Sequence, residues 1–102
     1  MANILTKYKL PTTRANGRAL AVDEISGVEI SLSTDGTAYS PINTVAPPTQ
    51  ELLITELEPG TWYLRYVVID KRGNRGVPHS QSVVIEDNSP PSAVTEVTIE
   101  FV

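Results

Sequence analysis

A proline–glycine turn followed by an aromatic-led apolar run is the feature that most constrains how this chain folds. Leu57 ends one apolar run, Pro59-Gly60 forms the turn, and residues 62–69 then read Trp-Tyr-Leu-Arg-Tyr-Val-Val-Ile. Aromatic and β-branched residues favour strands, and residues 70–74 supply a second turn, Asp-Lys-Arg-Gly-Asn. Two strands joined by so short a corner indicate a β-sheet protein.

Apolar and polar residues alternate along most of the chain in the way that strands require. The clearest case is residues 28–33, which place Val28, Ile30 and Leu32 on one face. A long connection, residues 12–27, contains the strong turn dipeptide Asn16-Gly17. No segment has a helical period, so the sequence predicts an all-β fold. The predicted strands are residues 4–10, 28–33, 40–45, 51–57, 62–69, 80–86 and 93–102.

The order of these segments resembles that of a fibronectin type III domain. Residues 57–74 are similar to its E strand, E–F corner, F strand and F–G turn, and residues 8–17 look like the end of its B strand. Residues 24–30 and 33–37 resemble the entry to strand C and its exit turn. The long B–C connection is most similar to bacterial and bacteriophage versions. The resemblance implies an immunoglobulin-like, antiparallel β-sandwich of about seven strands.

The register of residues 62–69 has two possible solutions. The family resemblance implies that Tyr63 is a buried corner tyrosine, whose hydroxyl bonds back to the backbone. Strict alternation instead places Trp62, Leu64, Tyr66 and Val68 in the core. A bulge near the start of the strand would reconcile the two. We expect Tyr66 to be inside and leave Trp62 and Tyr63 open.

The C-terminal segment is the main departure from the family pattern. Strand B already starts near Ile4, so no N-terminal segment serves as strand A, whereas residues 90–99 resemble the start of such a strand. We therefore divide the chain into a sandwich of strands B to G, residues 1–88, and a C-terminal strand, residues 89–102. That strand could complete its own sandwich, pair with a neighbouring copy, or begin a second domain. Its candidate assembly residues are Val97, Ile99 and Phe101.

Composition narrows the classes of function. The chain has no cysteine, which excludes disulfides and thiolate chemistry. Its net charge of −4 disfavours non-specific nucleic-acid binding. The first residues begin no long apolar stretch, so we expect neither a signal peptide nor a membrane partner. His79 is the only histidine, and the carboxylate pairs fall on predicted loops and strand ends, so we expect no enzyme, metal site or cofactor.

Charge is distributed unevenly along the chain. Residues 1–20 hold four bases and no acid, residues 21–70 hold eight acids and one base, residues 71–75 hold three bases, and residues 76–102 hold four acids. The resemblance implies that the F–G turn and the B–C connection share one end of the sandwich, where such domains carry recognition. The candidate partner-binding residues are Arg14, Arg18, Lys71, Arg72, Asn74 and Arg75.

The family resemblance, the spare strand and the opposed charges favour a structural or accessory protein of a bacteriophage virion. It would be a capsid decoration or tail component, assembled in the host cytoplasm on other virion proteins or copies of itself, as a homo-oligomer or symmetric array. The alternative is a binding or spacer module of a secreted bacterial adhesin or polysaccharide-degrading enzyme. A small cytoplasmic adaptor is a third option, since a fold does not fix a function.

Overall fold

A computed structural model describes residues 2–87 and 90–102 of the chain. Within these ranges it has six strands in two antiparallel sheets and no α-helix, so the all-β prediction is confirmed. The strands are β1 (Ala2–Lys7), β2 (Ile25–Ser33), β3 (Ser40–Val45), β4 (Glu51–Leu57), β5 (Gly60–Asp70) and β6 (His79–Ile85), with a single 3₁₀ turn at Val22–Glu24.

The two sheets differ in size. β1 pairs only with β4, and the larger sheet has the strand order β3-β2-β5-β6. The chain crosses from the small sheet to the large one at the corner between Leu57 and Gly60, as the proline–glycine turn predicts. Within the part of the chain that the structure describes, one edge of β1 therefore has no strand beside it.

Apolar side chains from the inner faces of the two sheets form the core. One buried cluster joins Ile54 and Leu57 of the small sheet to Leu64 and Ile85 of the large sheet. A second cluster surrounds Val28, Ile30 and Val45, and takes in the partly buried Leu52, Tyr8 and Tyr66 among others. With no disulfide in the chain, this contact and the strand ladders hold the layers together.

Strict alternation decides the register of β5. The side chains that reach the core clusters are Trp62, Leu64, Tyr66 and Val68, so Tyr66 is inside as expected. The pairing of β5 with β6 is continuous from Gly60 to Tyr66, so no bulge brings Tyr63 inward. Trp62 lies beside the corner between β4 and β5, where its indole Nε1 donates to the carbonyl oxygen of Glu58 at 2.9 Å.

Four strands differ from their predicted bounds, namely β1 (predicted 4–10), β2 (28–33), β5 (62–69) and β6 (80–86). For two of these shifts the ladders show the cause. β1 ends at Lys7, although alternation predicts a strand to Leu10, because Lys7 pairs with Glu51, the first residue of β4. β2 begins at Ile25 because its ladder with β5 extends to the Ile25–Asp70 pair. The second shift brings the end of β5 against the start of β2, where the candidate site lies.

Residues 90–102 form no strand in the structure, which differs from the strand predicted at 93–102. The side chains of Val97, Ile99 and Phe101 are 72%, 84% and 103% exposed. A strand needs a partner for its backbone groups, and no sheet edge of the same chain supplies one here. The segment pairs with no strand of its own sandwich in this structure, and the three alternatives stay predictions. The predicted boundary at residues 88 and 89 lies outside the described residues.

We expect Ile30→Ala to lower the free energy of unfolding by about 2–5 kcal/mol, because a fully buried side chain leaves a cavity at the sheet interface. Urea unfolding followed by circular dichroism measures this loss. Val84→Ala is the control, because Val84 is 66% exposed, and it should change stability by less than about 0.5 kcal/mol. Equal losses in the two variants would contradict this description of the core.

Candidate functional site

Asp70 organises the turn at the end of β5. Its carboxylate Oδ1 accepts hydrogen bonds from the backbone N–H groups of Arg72 at 2.9 Å and Asn74 at 2.8 Å. Its Oδ2 accepts from Asn74 Nδ2 at 2.9 Å and from Arg14 Nη1 at 3.0 Å. The side chain is only 7% exposed, so these bonds are shielded from water. Four donors on one carboxylate fix the shape of the turn.

Arg14 ties the long β1–β2 connection to this turn. Its guanidinium bonds Asp70 with one nitrogen and, through Nη2, Glu24 at 2.7 Å with another. Glu24 lies in the 3₁₀ turn, and its carbonyl oxygen accepts the Lys71 N–H at 2.9 Å. Three segments distant in sequence therefore meet at one end of the sandwich, as the sequence analysis expects for the two basic loops.

These contacts shift the pKa values of the residues involved. The Asn74 amide and the Arg14 guanidinium hold the pKa of Asp70 well below its usual range. Arg14 lowers the pKa of Glu24 and has its own pKa raised by the same pair. All three groups are thus kept charged by bonds that exist only in the folded chain.

Arg75 has a separate partner on the outer face of the large sheet. Its guanidinium forms an ion pair with Glu29 of β2, and this contact lowers the pKa of Glu29 and raises that of Arg75. The pair lies on the face of the large sheet that points away from the small sheet, since Glu29 alternates with the buried Val28 and Ile30. Arg75 therefore attaches the segment that precedes β6 to β2.

Three of the six candidate residues have exposed side chains without such a partner. Within residues 2–87 and 90–102, the side chains of Arg18, Lys71 and Arg72 make no hydrogen bond or ion pair. Arg18 lies in a small hairpin, where its carbonyl oxygen accepts the Arg14 N–H at 2.7 Å and Gly17 adopts a φ of 86°. We call these three residues the basic tip.

The sequence predicts that the six residues lie together but does not separate their roles. Asp70 and Glu24, the acids that bind Arg14, were not among the predicted residues. One signal was available, because Asp70 begins an Asp-x-x-Gly-Asn turn in which an aspartate commonly accepts backbone N–H groups. Glu24 gave no such signal, because its contact with Arg14 depends on the path of the long connection.

A shallow cavity of about 510 Å³ opens beside the basic tip. Arg14, Asn16 and Leu20 line it from the long connection, and Asp70, Asn74 and Val77 line it from the opposite side. The cavity presents the guanidinium and amide groups that already bond Asp70. Its acid and base, Asp70 and Arg14, are paired with each other.

A second cavity, of about 550 Å³, lies between β1 and β6. Lys7 and Tyr8 line one wall, His79 and Gln81 line the other, and Tyr66 and Val68 lie between them. The Tyr8 hydroxyl is buried and has no hydrogen-bond partner among the described residues, and burial raises its pKa. Its ring lies 6.0 Å from that of Tyr66, whose hydroxyl shares a 2.5 Å hydrogen bond with Thr6.

Two further properties bear on the kind of site. Across the described residues, no three His, Cys, Asp or Glu side chains are placed to hold a metal ion. No helix in the same part of the chain is long and apolar enough to cross a membrane. No protein-family model matches the chain, and no curated protein or solved structure matches it either.

We expect stability to fall as the pH drops below about 4, the usual pKa of an aspartate in an unfolded chain. Asp70 remains ionised in the folded state well below that pH, and backbone N–H groups of Thr37 and Ala38 lower the pKa of Asp35 to about 2. The unfolded chain therefore binds protons that the folded chain does not. Thermal unfolding between pH 7 and pH 2.5 measures the effect.

Asp70→Asn should lower the Tm at pH 7 by roughly 5–10 °C, because an amide cannot accept from all four donors. It should also flatten the fall in Tm below pH 4. The matched control is Asp23→Asn, which changes an exposed side chain and should leave both the Tm and its pH dependence close to those of the wild type. Identical pH profiles for wild type and Asp70→Asn would contradict the role given to Asp70.

Proposed function

We propose that this chain is a fibronectin type III-like domain acting as a non-catalytic structural or accessory protein of a bacteriophage virion. It would be a capsid decoration or tail component that works through protein–protein contacts. The pairing of strands supports the family part of the proposal. A fibronectin type III domain pairs B with E and orders the other sheet C′-C-F-G, which corresponds to β1 with β4 and to β3-β2-β5-β6.

The contact function is argued from the basic end, where one set of residues fixes the loops and a second set is exposed. Asp70, Arg14 and Glu24 hold the loops in one conformation. The side chains of Arg18, Lys71 and Arg72 extend from that platform and make no hydrogen bond or ion pair among the described residues, although the charge of Arg72 contributes to the lowered pKa of Glu24. A rigid support lowers the entropy that binding would otherwise cost. This arrangement suits recognition of a protein surface more than it suits stability of the domain itself.

The charge of the tip indicates the chemistry of the partner. Three cations at one end of a chain with net charge −4 favour docking on an acidic patch of another protein. Particle proteins are arranged in fixed, repeated contacts, and a polar end with defined geometry supports such an arrangement. The same end is disfavoured as a non-specific nucleic-acid site by the negative charge of the rest of the chain.

The virion part of the proposal is tested by locating the protein. Particles purified by density gradient from the host that encodes the chain should contain it at a fixed ratio to the major capsid or tail protein, measured by mass spectrometry. Recovery only from the culture medium, covalently within a longer adhesin or polysaccharide-degrading enzyme, would support the secreted-module alternative. Recovery only as free cytoplasmic protein would overturn both.

Charge reversal at the basic tip should weaken binding to the particle by about tenfold or more, because it juxtaposes like charges. The variant is Arg18→Glu with Lys71→Glu and Arg72→Glu, and its occupancy on particles is measured against wild type at increasing protein concentration. Arg18→Lys with Arg72→Lys is the matched control, because it keeps the charge. Unchanged occupancy of the reversed variant, with an unchanged Tm, would show that the tip is not the contact surface.

A further inference from the structure

The free edge of β1 carries backbone groups that are ready for another strand. Tyr8 N–H donates to the Gln50 carbonyl oxygen at 3.1 Å, and the register with β4 is continuous from Ile4 to Lys7. Residues of an antiparallel strand alternate between those bonded to the partner and those directed away from it. Since Tyr8 is bonded to the β4 side, the backbone N–H and C=O groups of Leu5 and Lys7 point to the free edge.

The cavity between β1 and β6 lies beside this same edge. Its walls come from the β1 side and from the β6 side, and none of its lining residues belongs to β4. The inward-facing His79 and Gln81 of β6 are exposed there, although they lie over the interior of the sandwich. Among the described residues the buried Tyr8 hydroxyl also has no hydrogen-bond partner, and no strand lies beside this edge. The cavity is the space that an added strand would cover.

The C-terminal segment has the properties of that missing strand. Val97, Ile99 and Phe101 alternate with Thr98 and Glu100, and all three apolar side chains are exposed. Ten extended residues, 93–102, reach about 33 Å, which is longer than the six-residue β1. Glu96 and Glu100 are the only charged side chains in this segment.

The edge that would receive the segment has the opposite charge. Lys7 and Lys9 lie beside the cavity, and both line it. The acceptor and the segment therefore differ in sign, which favours their pairing and disfavours pairing of the segment with another copy of itself. An uncovered apolar strand beside an uncovered edge is otherwise a risk of aggregation.

Strand directions indicate which copy supplies the segment. Ile85 pairs with Gly60, and Ala2 pairs with Leu57 across the short corner, so the chain leaves β6 at the Ala2 end of β1. An antiparallel strand, the commoner arrangement, enters at the Lys7 end. Within one copy the chain would have to run back along the length of the domain before the segment could pair with β1. In a head-to-tail row, the Lys7 end of β1 in the next copy would lie close to the segment.

We propose that residues 93–102 of one copy bind as an added strand along the free edge of β1 in the next copy. Val97, Ile99 and Phe101 enter the cavity between β1 and β6, and the segment runs antiparallel to β1. Donor and acceptor are different surfaces, so the contact is head-to-tail and extends into rows or rings of copies. The inference rests on the edge, the cavity and the segment, and does not require that the protein belong to a particle.

Two full-length variants each remove one half of the contact. Val97→Asp with Phe101→Asp spoils the donor and leaves the edge intact. Leu5→Pro spoils the acceptor, because it removes an N–H that points to the free edge and takes no part in the ladder with β4. Leu5→Ala is its matched control, because it truncates the same exposed side chain but keeps the N–H. Thermal unfolding of each variant checks that the sandwich is folded.

Light scattering should show that the mass of wild type rises with concentration above the 11.1 kDa of the monomer. Leu5→Ala should behave in the same way, and each of the other two variants should stay monomeric when alone. Mixed in equal amounts, the donor-spoiled and acceptor-spoiled variants should form a dimer that grows no further, because each mixture partner retains one functional half. That complementation is specific to head-to-tail strand donation.

Three results would overturn the proposal. Wild type could stay monomeric, with any self-association weaker than a Kd of about 1 mM. The mixture of the two variants could fail to form the dimer although both are folded. Finally, Val97→Asp with Phe101→Asp could unfold the monomer while wild type is monomeric, which would show that the segment packs on its own sandwich.

Discussion

The Asp70 carboxylate is the interaction on which the arrangement of the functional end depends. It terminates β5, closes the turn that follows, and through Arg14 holds the long connection that leads into β2. Without it, two of the longest non-strand segments would share one end of the sandwich with no fixed relation to each other. Because the nearly buried Asp70 carboxylate accepts from four donors, the cost of placing its charge at a sheet end is offset locally.

The two candidate surfaces lie at the same end of the molecule. The basic tip lies where β5 ends, and Ala2 lies at the opposite end beside the corner between β4 and β5, so the Lys7 end of β1 is on the side of the tip. The cavity beside the tip and the cavity between β1 and β6 share Pro11, Val68 and Val77 in their linings. A contact with another copy would therefore form close to the surface that docks on a different protein.

The alternation of apolar and polar residues, together with turn residues, predicted six of the strands. Contacts between residues distant in sequence could not be predicted in this way. Residues 40–45 and 51–57 were placed with their observed bounds, because each has turn residues directly beside it. The sequence does not decide between Trp62 and Tyr63, because the family resemblance and strict alternation place different residues in the core, whereas the continuous ladder with β6 supports alternation. The C-terminal segment has the alternation of a strand, but alternation reports a side-chain pattern and not whether a partner is present. Arg14 and Arg75 read as free charges because their acids come from distant parts of the chain.

The corner between the two sheets gives the chain an internal optical reporter. Trp62 is the only tryptophan, it is partly buried against the cluster that joins the layers, and its indole is tied to the Glu58 carbonyl. Its emission therefore depends on whether the small sheet stays seated on the large one, and hardly on the loops at the opposite end. Layer separation and loop opening can thus be followed as distinct events in one unlabelled molecule.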